Sequence, residues 1–171
     1  RDRYYDMLLD WDANPGYSDA YYKSVNSASL GWGEAYILRA FMSGYRLTGD
    51  TYWLDRIADH ADTLLANMRD VPESIRYDTV TYADGYRGWG TETYSDMYDE
   101  YMVHDGHVTA PIAEYIAEVF SNPDELWDEF GARAKAQFDT LAYHVGEKWL
   151  SRWVAQRPAI MRTFTDFRLL P

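Results

Sequence analysis

Apolar side chains recur every three or four positions along much of this chain, with polar residues between them. That spacing places the apolar residues on one face of a helix and therefore predicts amphipathic helices. The predicted helices cover about residues 1–11, 27–47, 51–68, 109–120 and 124–145. Alternating, strand-like patterning is weak and is limited to residues 77–82. The pattern favours an all-α fold.

Local signals mark the ends of several helices. Gly49-Asp50 ends the second helix, and Thr51 is the predicted N-cap of the third. Pro111 is predicted to lie in the first turn of the fourth helix, where its missing N–H leaves no hydrogen bond unmade. Residues 12–26 are predicted to form a loop because they contain an Asn-Pro-Gly turn.

The helices on either side of the middle of the chain carry one pattern of residues twice. The first copy contains Phe41, Tyr45, Thr48, Gly49, Asp50, Trp53, Leu54, Ile57, Ala58, Ala61 and Leu65. The second copy contains Tyr115, Val119, Asn122, Pro123, Asp124, Leu126, Trp127, Phe130, Gly131, Ala134 and Phe138. The copies are 74 positions apart before the turn (Phe41 to Tyr115) and 73 apart after it (Ile57 to Phe130). Such a period predicts stacked antiparallel helical hairpins, each of which buries its apolar face against a neighbour.

A long, aromatic-rich connection over residues 69–105 joins the two hairpins and shows little helical period. Irregular connections of this length inside a compact domain are usually functional or disordered, and the aromatic content argues against disorder. The chain contains 16 Tyr and 7 Trp. Because a buried Tyr hydroxyl needs a hydrogen-bond partner, this Tyr content is more typical of ligand-binding surfaces than of cores. We therefore expect the functional residues within 77–107.

Charge and composition exclude several classes of function. The chain has 28 acidic and 16 basic residues, a net charge of −12, and no Cys. Such an acidic chain repels nucleic acid, so we predict no nucleic-acid partner. The lack of Cys excludes disulfides and Cys-based zinc sites. No apolar run is long enough to span a membrane, and no phosphate-binding glycine loop occurs, so we predict no membrane partner and no cofactor.

The C-terminal residues 147–171 differ in composition from the rest, with five basic and two acidic side chains. We therefore predict a helical-hairpin domain over residues 1–146 and a tail over residues 147–171. The tail is interpreted as either a docking segment or a non-native end. The chain begins at Arg1 rather than at Met, which indicates a processed or partial chain.

Two segments resemble α/α-toroid carbohydrate-active proteins, the group of six-hairpin glycosidases, toroid polysaccharide lyases and sugar epimerases. The first is Trp32-Gly33-Glu34-Ala35-Tyr36, together with the later run Tyr45-Arg46-Leu47-Thr48-Gly49-Asp50-Thr51-Tyr52-Trp53-Leu54-Asp55. The second is Val103-His104-Asp105-Gly106 leading into Pro111-Ile112-Ala113, which is similar to the entry of an inner-barrel helix in lyase-like members. The resemblance implies a partial (α/α) toroid, because two clear hairpins do not close a ring.

An open toroid edge exposes apolar faces, so we expect a homo-oligomer or a missing remainder of the toroid as a partner. The resemblance also implies a polysaccharide or oligosaccharide ligand. An extracellular or periplasmic location is expected.

The resemblance further implies a lyase that cleaves uronate-containing glycans by β-elimination. This reaction needs a group that neutralises the uronate carboxylate, a base for the C5 proton and an acid for the leaving O4. Arg87 is the candidate for carboxylate contact, and Tyr101 and His104 are the candidates for proton transfer. The candidate substrate-binding residues are Trp32, Glu34, Tyr86, Trp89, Asp105 and His107.

Three other interpretations use the same residues. In the first, Glu34 and Asp105 are the acid–base pair of an inverting glycosidase. In the second, His104 and His107 are metal ligands, although we predict no metal site because two His at one helix end are a weak signal. In the third, the aromatic residues only pack the connection onto the hairpins, and the chain is a non-catalytic helical-repeat fragment that self-associates.

Overall fold

The computed structural model describes residues 2–69, 73–74, 81–82, 85–94 and 98–152, and most of these are helical, which confirms the all-α class. The α-helices are Asp2–Asp12 (α1), Pro15–Ser18 (α2), Ser27–Ser29 (α3), Ala35–Thr48 (α4), Tyr52–Ala66 (α5), Met102–Ser121 (α6), Pro123–Leu126 (α7) and Ala132–Leu141 (α8). The π-helical turns are Leu30–Glu34, Trp127–Gly131 and Ala142–Glu147. Within the described ranges, no helix combines the length and the apolar character that a membrane span requires.

Both predicted hairpins are present, one formed by α4 and α5 and one by α6 with the helical run through α8. α4 ends at Thr48 and is capped by Gly49, whose φ of 71° lies in the left-handed region that favours glycine. Thr51 occupies the predicted N-cap position of α5, but its hydroxyl makes no capping bond because its own backbone is already helical. Oδ1 of Asp50 accepts the capping hydrogen bond from the main-chain N–H of Tyr52 at 3.0 Å instead.

The prediction that Pro111 lies in a first helical turn is wrong. α6 begins at Met102 instead of near residue 109, so Pro111 lies in the helix interior. There its missing N–H leaves the carbonyl oxygen of His107 without its usual helical partner. The longer helix buries Val108 in the core, and this burial offsets part of that cost.

The helix predicted over residues 124–145 is interrupted by two π-helical turns and continues to residue 152. The predicted domain boundary after residue 146 therefore falls inside a helical run. Lys148 and Arg152, the first two basic residues of the predicted tail, are buried. Residues 153–171 lie outside the described residues, so the interpretation of the tail stays a prediction.

The connection between the hairpins contains a small four-stranded sheet, and the weak strand-like pattern at residues 77–82 covers one of its strands, Thr81–Tyr82. Its strands are Glu73–Ser74 (β1), Thr81–Tyr82 (β2), Gly90–Thr91 (β3) and Asp99–Glu100 (β4), in the order β2-β1-β4-β3. β1 and β4 are parallel, and the other two pairs are antiparallel. Two-residue strands are too short to show an alternating pattern. Residues 77–80 of the predicted strand-like stretch lie outside the described residues.

The two hairpins share one apolar core and a polar seam. The largest fully buried side chains of the core include Phe41, Trp53, Trp89, Tyr115 and Phe130. In the seam, Arg133 of α8 contacts Asp55, Asp59 and Asp62 of α5 at 3.4, 2.5 and 2.7 Å. These three carboxylates are half exposed or more, so each ion pair contributes little and the apolar core supplies most of the stability.

We expect Gly44→Ala to destabilise the first hairpin. A Cβ atom at Gly44 would lie 2.8 Å from the ring of Trp53, which is fully buried and has no free space to move into. Overpacking of this kind costs about 1–3 kcal/mol. Urea unfolding followed by circular dichroism measures the free energy of unfolding.

Gly131→Ala is the matched control for that substitution. A Cβ atom at Gly131 would lie 2.5 Å from the ring of Trp127, but Trp127 is 44% exposed and can turn into solvent. Because Ala is the better helix former, this variant should keep its stability within about 1 kcal/mol. Equal losses in both variants would contradict the packing explanation.

Candidate functional site

Aromatic and histidine side chains cluster where the π-helical turn 30–34 meets the start of α6. This aromatic–histidine cluster consists of Trp32, Tyr94, Tyr101, His104 and His107. The ring centroid of His104 lies 5.1 Å from that of Tyr101 and 5.7 Å from that of Tyr94. The centroid of Trp32 lies 5.7 Å from His104 and 4.9 Å from His107. The cluster therefore draws on three separate segments of the chain.

Two glycines on either side of Trp32 allow this arrangement. A Cβ atom at Gly31 would lie 3.0 Å from Cα of His104, so a larger residue there would push the π-helical turn and α6 slightly apart. A Cβ atom at Gly33 would lie 2.7 Å from the ring of Tyr21, which packs against that glycine. The Gly-Trp-Gly sequence thus positions the Trp32 ring between α6 and the loop that carries Tyr21.

An open groove of about 290 Å³ lies next to the cluster. It is lined by Tyr21, Asn26, Ala28, Ser29, Trp32, Gly33 and Thr93. Trp32 is 48% exposed and Tyr21 is 42% exposed, so flat aromatic faces are accessible beside amide and hydroxyl groups. This combination suits a sugar ring, which has apolar faces and a polar edge. Trp32 belongs to both the groove and the cluster.

His104 is buried within the cluster, with Nδ1 3.0 Å from Oγ of Ser27. Burial lowers the pKa of His104, and the nearby His107 lowers it further. The imidazole of His104 is therefore neutral near pH 7, and one of its two nitrogens can accept a proton. If Nδ1 donates to Ser27, that acceptor is Nε2.

Two polar atoms of the cluster, Oη of Tyr101 and Nδ1 of His107, are buried and have no hydrogen-bond partner among the described residues. Buried polar atoms are nearly always hydrogen-bonded, because an unmade bond costs about 1–3 kcal/mol. Both atoms can bond a polar group of a ligand. They are the most direct sign of ligand binding in the cluster.

Three of the sequence-predicted site residues contact other parts of the molecule. The main-chain N and Nε of Arg87 lie 2.9 and 3.2 Å from Nδ1 and Nε2 of His144, and a neutral imidazole accepts a hydrogen bond at one of these two nitrogens. The ring of Tyr86 lies 5.2 Å from that of Tyr143. Trp89 is buried, and its indole N–H donates to a carbonyl oxygen of α5 at 2.9 Å, so it has a structural role.

Asp105, another predicted site residue, belongs to a buried ion cluster. Its Oδ2 accepts hydrogen bonds from Nζ of Lys148 at 3.1 Å and from the indole of Trp149 at 2.7 Å. Lys148 also contacts Glu100 at 2.8 Å, and Arg152 contacts Glu100 at 2.6 Å. Burial raises the pKa of Asp105 to about 6, and the positive charge of Lys148 offsets only part of this effect.

Glu34 is also fully buried, with Oε1 2.7 Å from Nδ1 of His60. Burial raises the pKa of Glu34, and the contact with His60 offsets part of that rise. Glu34 and Asp105, the carboxyl groups of the glycosidase alternative, therefore contact different side chains: Glu34 contacts His60, and Asp105 contacts Lys148 and Trp149. Across the described residues, no group of three or more His, Asp or Glu side chains is arranged to hold a metal ion.

Sequence reasoning missed one wall of the groove, which contains Tyr21, Asn26 and Thr93. Residues 12–26 carried no helical or motif signal and were predicted only as a loop. The Gly-Trp-Gly sequence around Trp32 was the one signal in the sequence that could have indicated this wall. Two glycines beside an aromatic residue indicate that other parts of the chain pack closely on both sides of it.

Of the predicted site residues, the structure brings together Trp32, Tyr101, His104 and His107. The other five contact residues outside this cluster. Comparisons of the chain with protein families, with curated proteins and with solved structures find no match. Function is therefore inferred from the chemistry of the site itself.

The raised pKa of Asp105 predicts a pH-dependent stability. The pKa of Asp105 is about 6 in the folded protein against 3.8 for the free side chain, so the folded state binds this proton more tightly than the unfolded state does. Proton binding therefore stabilises the fold, and this stabilisation is complete below about pH 4. That contribution is lost as pH rises through about 6. Relative to Asp105→Asn, the wild-type free energy of unfolding should fall by about 2–3 kcal/mol between about pH 4 and pH 7.

Urea titrations of both proteins at a series of pH values measure this difference. Asp139→Asn is the control, since Asp139 is exposed and its ion-pair partner is Lys135 on the same helix. A wild-type to Asp105→Asn difference that is flat across the range would show that Asp105 does not titrate there.

Proposed function

We propose that this protein is a carbohydrate-active lyase that cleaves uronate-containing polysaccharide by β-elimination, built on a partial (α/α) toroid. One observation supports the proposal most. The exposed ring of Trp32 lies beside His107, and the neutral imidazole of His104 lies beside Tyr101. Oη of Tyr101 and Nδ1 of His107 have no partner in the described part of the chain. The stacked hairpins and their internal repeat support the toroid.

The proposed reaction assigns one role to each polar member of the cluster. His104 accepts the C5 proton, the electrons of the broken C–H bond form the C4–C5 double bond, and the C4–O4 bond breaks. Tyr101 donates its phenolic proton to O4, and the site is reset when His104 releases the C5 proton to solvent and Tyr101 is reprotonated from solvent. Nδ1–H of His107 binds the C5 carboxylate, which makes the C5 proton more acidic. Arg87 was the sequence-based candidate for that contact, but it is paired with His144.

Incubation with a panel of uronans, followed by the ultraviolet absorbance of the unsaturated product, tests this proposal. We expect activity in the wild type and a loss of kcat of about 10²–10⁴ in Tyr101→Phe and His104→Gln, because each removes a proton-transfer group. Trp32→Ala should chiefly raise KM, since it removes the stacking surface. Tyr17→Phe is the matched control, because Tyr17 is exposed on α2 and does not line the groove.

Two results would overturn the lyase proposal. Absence of unsaturated product on every uronan, with reducing sugar released from neutral glycans, would favour a glycosidase. Full activity of Tyr101→Phe and His104→Gln would show that the cluster does not perform the chemistry.

A second candidate function, self-association, is favoured by a different surface. An apolar groove of about 410 Å³ lies between α6 and α8, lined by Ile116, Phe120, Phe138, Leu141 and Val145 among others. The repeat relates Arg39, Ser43 and Arg46 of α4 to Ala113, Ala117 and Phe120 of α6. The outer face of the second hairpin is therefore apolar where that of the first is polar.

We propose that a second copy of this chain covers this face. Small residues four apart, such as Ala113 and Ala117, let another helix approach closely, and the second copy supplies helices of the same kind. The exposed rings of Phe120 and Phe138 lie 6.1 Å apart and would be buried in the contact.

Sedimentation equilibrium tests self-association. The wild type should be dimeric at micromolar concentration, and the double variant Phe120→Ser/Phe138→Ser should weaken dimerisation at least about 100-fold, because it removes two interface aromatics. Leu150→Ser is the control, since Leu150 is exposed but does not line the groove. A wild type that is monomeric at every concentration would exclude the second copy as the occupant.

A further inference from the structure

The sugar-sized groove has two walls that come from separate segments of the chain. One wall is the π-helical turn 30–34, which carries Trp32. The other wall is formed largely by the segment 19–26, which contributes Tyr21 and Asn26. The width of the groove therefore depends on the contacts that hold these two segments together.

His60 of α5 contacts both walls at once. Its Nδ1 lies 2.7 Å from Oε1 of Glu34, which ends the π-helical turn. Its Nε2 lies 3.2 Å from Oδ1 of Asp19, at the start of the other wall. The ring of Tyr22 stacks on the imidazole at 4.2 Å, and both His60 and Glu34 are fully buried.

This geometry requires a proton between His60 and Glu34. A carboxylate oxygen can only accept a hydrogen bond, so each imidazole nitrogen that faces one needs an N–H. Either His60 carries both protons, or Glu34 holds the one that faces Nδ1. In both cases His60 and Glu34 together hold one proton more than a neutral His60 and an ionised Glu34 would hold.

Loss of that proton leaves a single N–H on His60 for two carboxylates. Glu34 is fully buried, whereas the side chain of Asp19 is 29% exposed and also accepts a hydrogen bond from Arg56 at 2.5 Å. An unpaired buried charge costs more than a solvated one, so the remaining N–H stays with Glu34. The lone pair of Nε2 then faces Asp19, and that contact is repulsive.

The charged and titratable groups around His60 and Glu34 come from several neighbouring segments. Arg56 on the same helix contacts Asp12 and Asp19, and Tyr52 donates to Asp12. Lys23 lies 4.9 Å from the ring centroid of Tyr22, the tyrosine that stacks on His60. Burial raises the pKa of Glu34, and the contact with His60 lowers it less. The proton is therefore held at low pH and lost as pH rises.

We propose that His60 is a positioning residue that holds the two groove walls together through a proton shared with Glu34, so that the wall formed by segment 19–26 is released at high pH. The inference rests on the proposed function only for the identity of the ligand, because the walls and their contacts are defined without it.

Hydrogen exchange of the ligand-free protein, measured by mass spectrometry, tests whether the contact between the two groove walls depends on pH. After correction for intrinsic rates, protection of peptides covering 19–26 should fall by about tenfold or more between about pH 6 and pH 9. The peptide 112–121 of α6 serves as the internal reference and should stay constant. Protection of 19–26 that does not change with pH would overturn the proposal.

Glu34→Gln is the decisive variant. The Gln side-chain amide donates to Nδ1 of a neutral His60, which leaves Nε2–H for Asp19 without a titrating proton. Its exchange profile should therefore be flat with pH, whereas Glu114→Gln, at an exposed carboxyl of α6, should follow the wild type. Identical pH profiles in wild type and Glu34→Gln would refute the shared proton.

Nitrogen-15 NMR of the histidine rings in the wild type keeps the test independent of whether Glu34→Gln folds. The Nδ1 signal of His60, assigned with His60→Gln, should shift with pH as the proton shared with Glu34 is lost. A single neutral tautomer with constant shifts throughout would contradict the proposal.

Uronate-oligosaccharide affinity separates this inference from the proposed function. Affinity should fall about tenfold with pH in the wild type but not in Glu34→Gln. No binding at any pH, with the expected exchange profiles, would contradict the lyase proposal alone. Binding together with a flat exchange profile would contradict the positioning role alone.

Discussion

The close approach of two helical segments at Gly31 and His104 is the constraint on which the candidate site depends. The space between them leaves little room for a side chain, since a Cβ atom at Gly31 would lie 3.0 Å from Cα of His104. The apolar core shared by the two hairpins holds those segments in place. Because the core is rigid and close-packed, the aromatic rings at its edge keep fixed distances from one another.

Buried ion pairs connect the irregular segments to the packed helices. Asp105 and Glu100 share Lys148, which connects β4 and the start of α6 to the last helical residues. Glu34, His60 and Asp19 likewise connect both groove walls to α5. Buried ion pairs add little net stability, because desolvation costs nearly as much as the attraction returns. Their effect here is to restrict where the loops can lie.

The helices and their pairing were predictable because they follow from a periodic pattern repeated over many residues. The ends of individual helices were harder to predict. Pro111 was predicted to lie in a first helical turn, yet α6 begins nine residues earlier, at Met102, and buries Val108 in the core. Tyr101 and His104 were predicted from the resemblance and from their residue types, and they meet in the structure because they lie close in sequence. The groove wall with Tyr21 and Asn26 was missed, since it meets Trp32 only through tertiary contacts.

An unpartnered buried polar atom does not by itself indicate a ligand site. Nε1 of Trp53 and Oη of Tyr115 also have no hydrogen-bond partner in the described part of the chain, but both side chains are fully buried in the apolar core. Tyr101 and His107 differ because they belong to a cluster with the half-exposed ring of Trp32. A ligand on that ring can supply the missing hydrogen bonds, whereas no ligand reaches the core. The cost of leaving these two groups unpaired is therefore offset only when a ligand reaches the cluster.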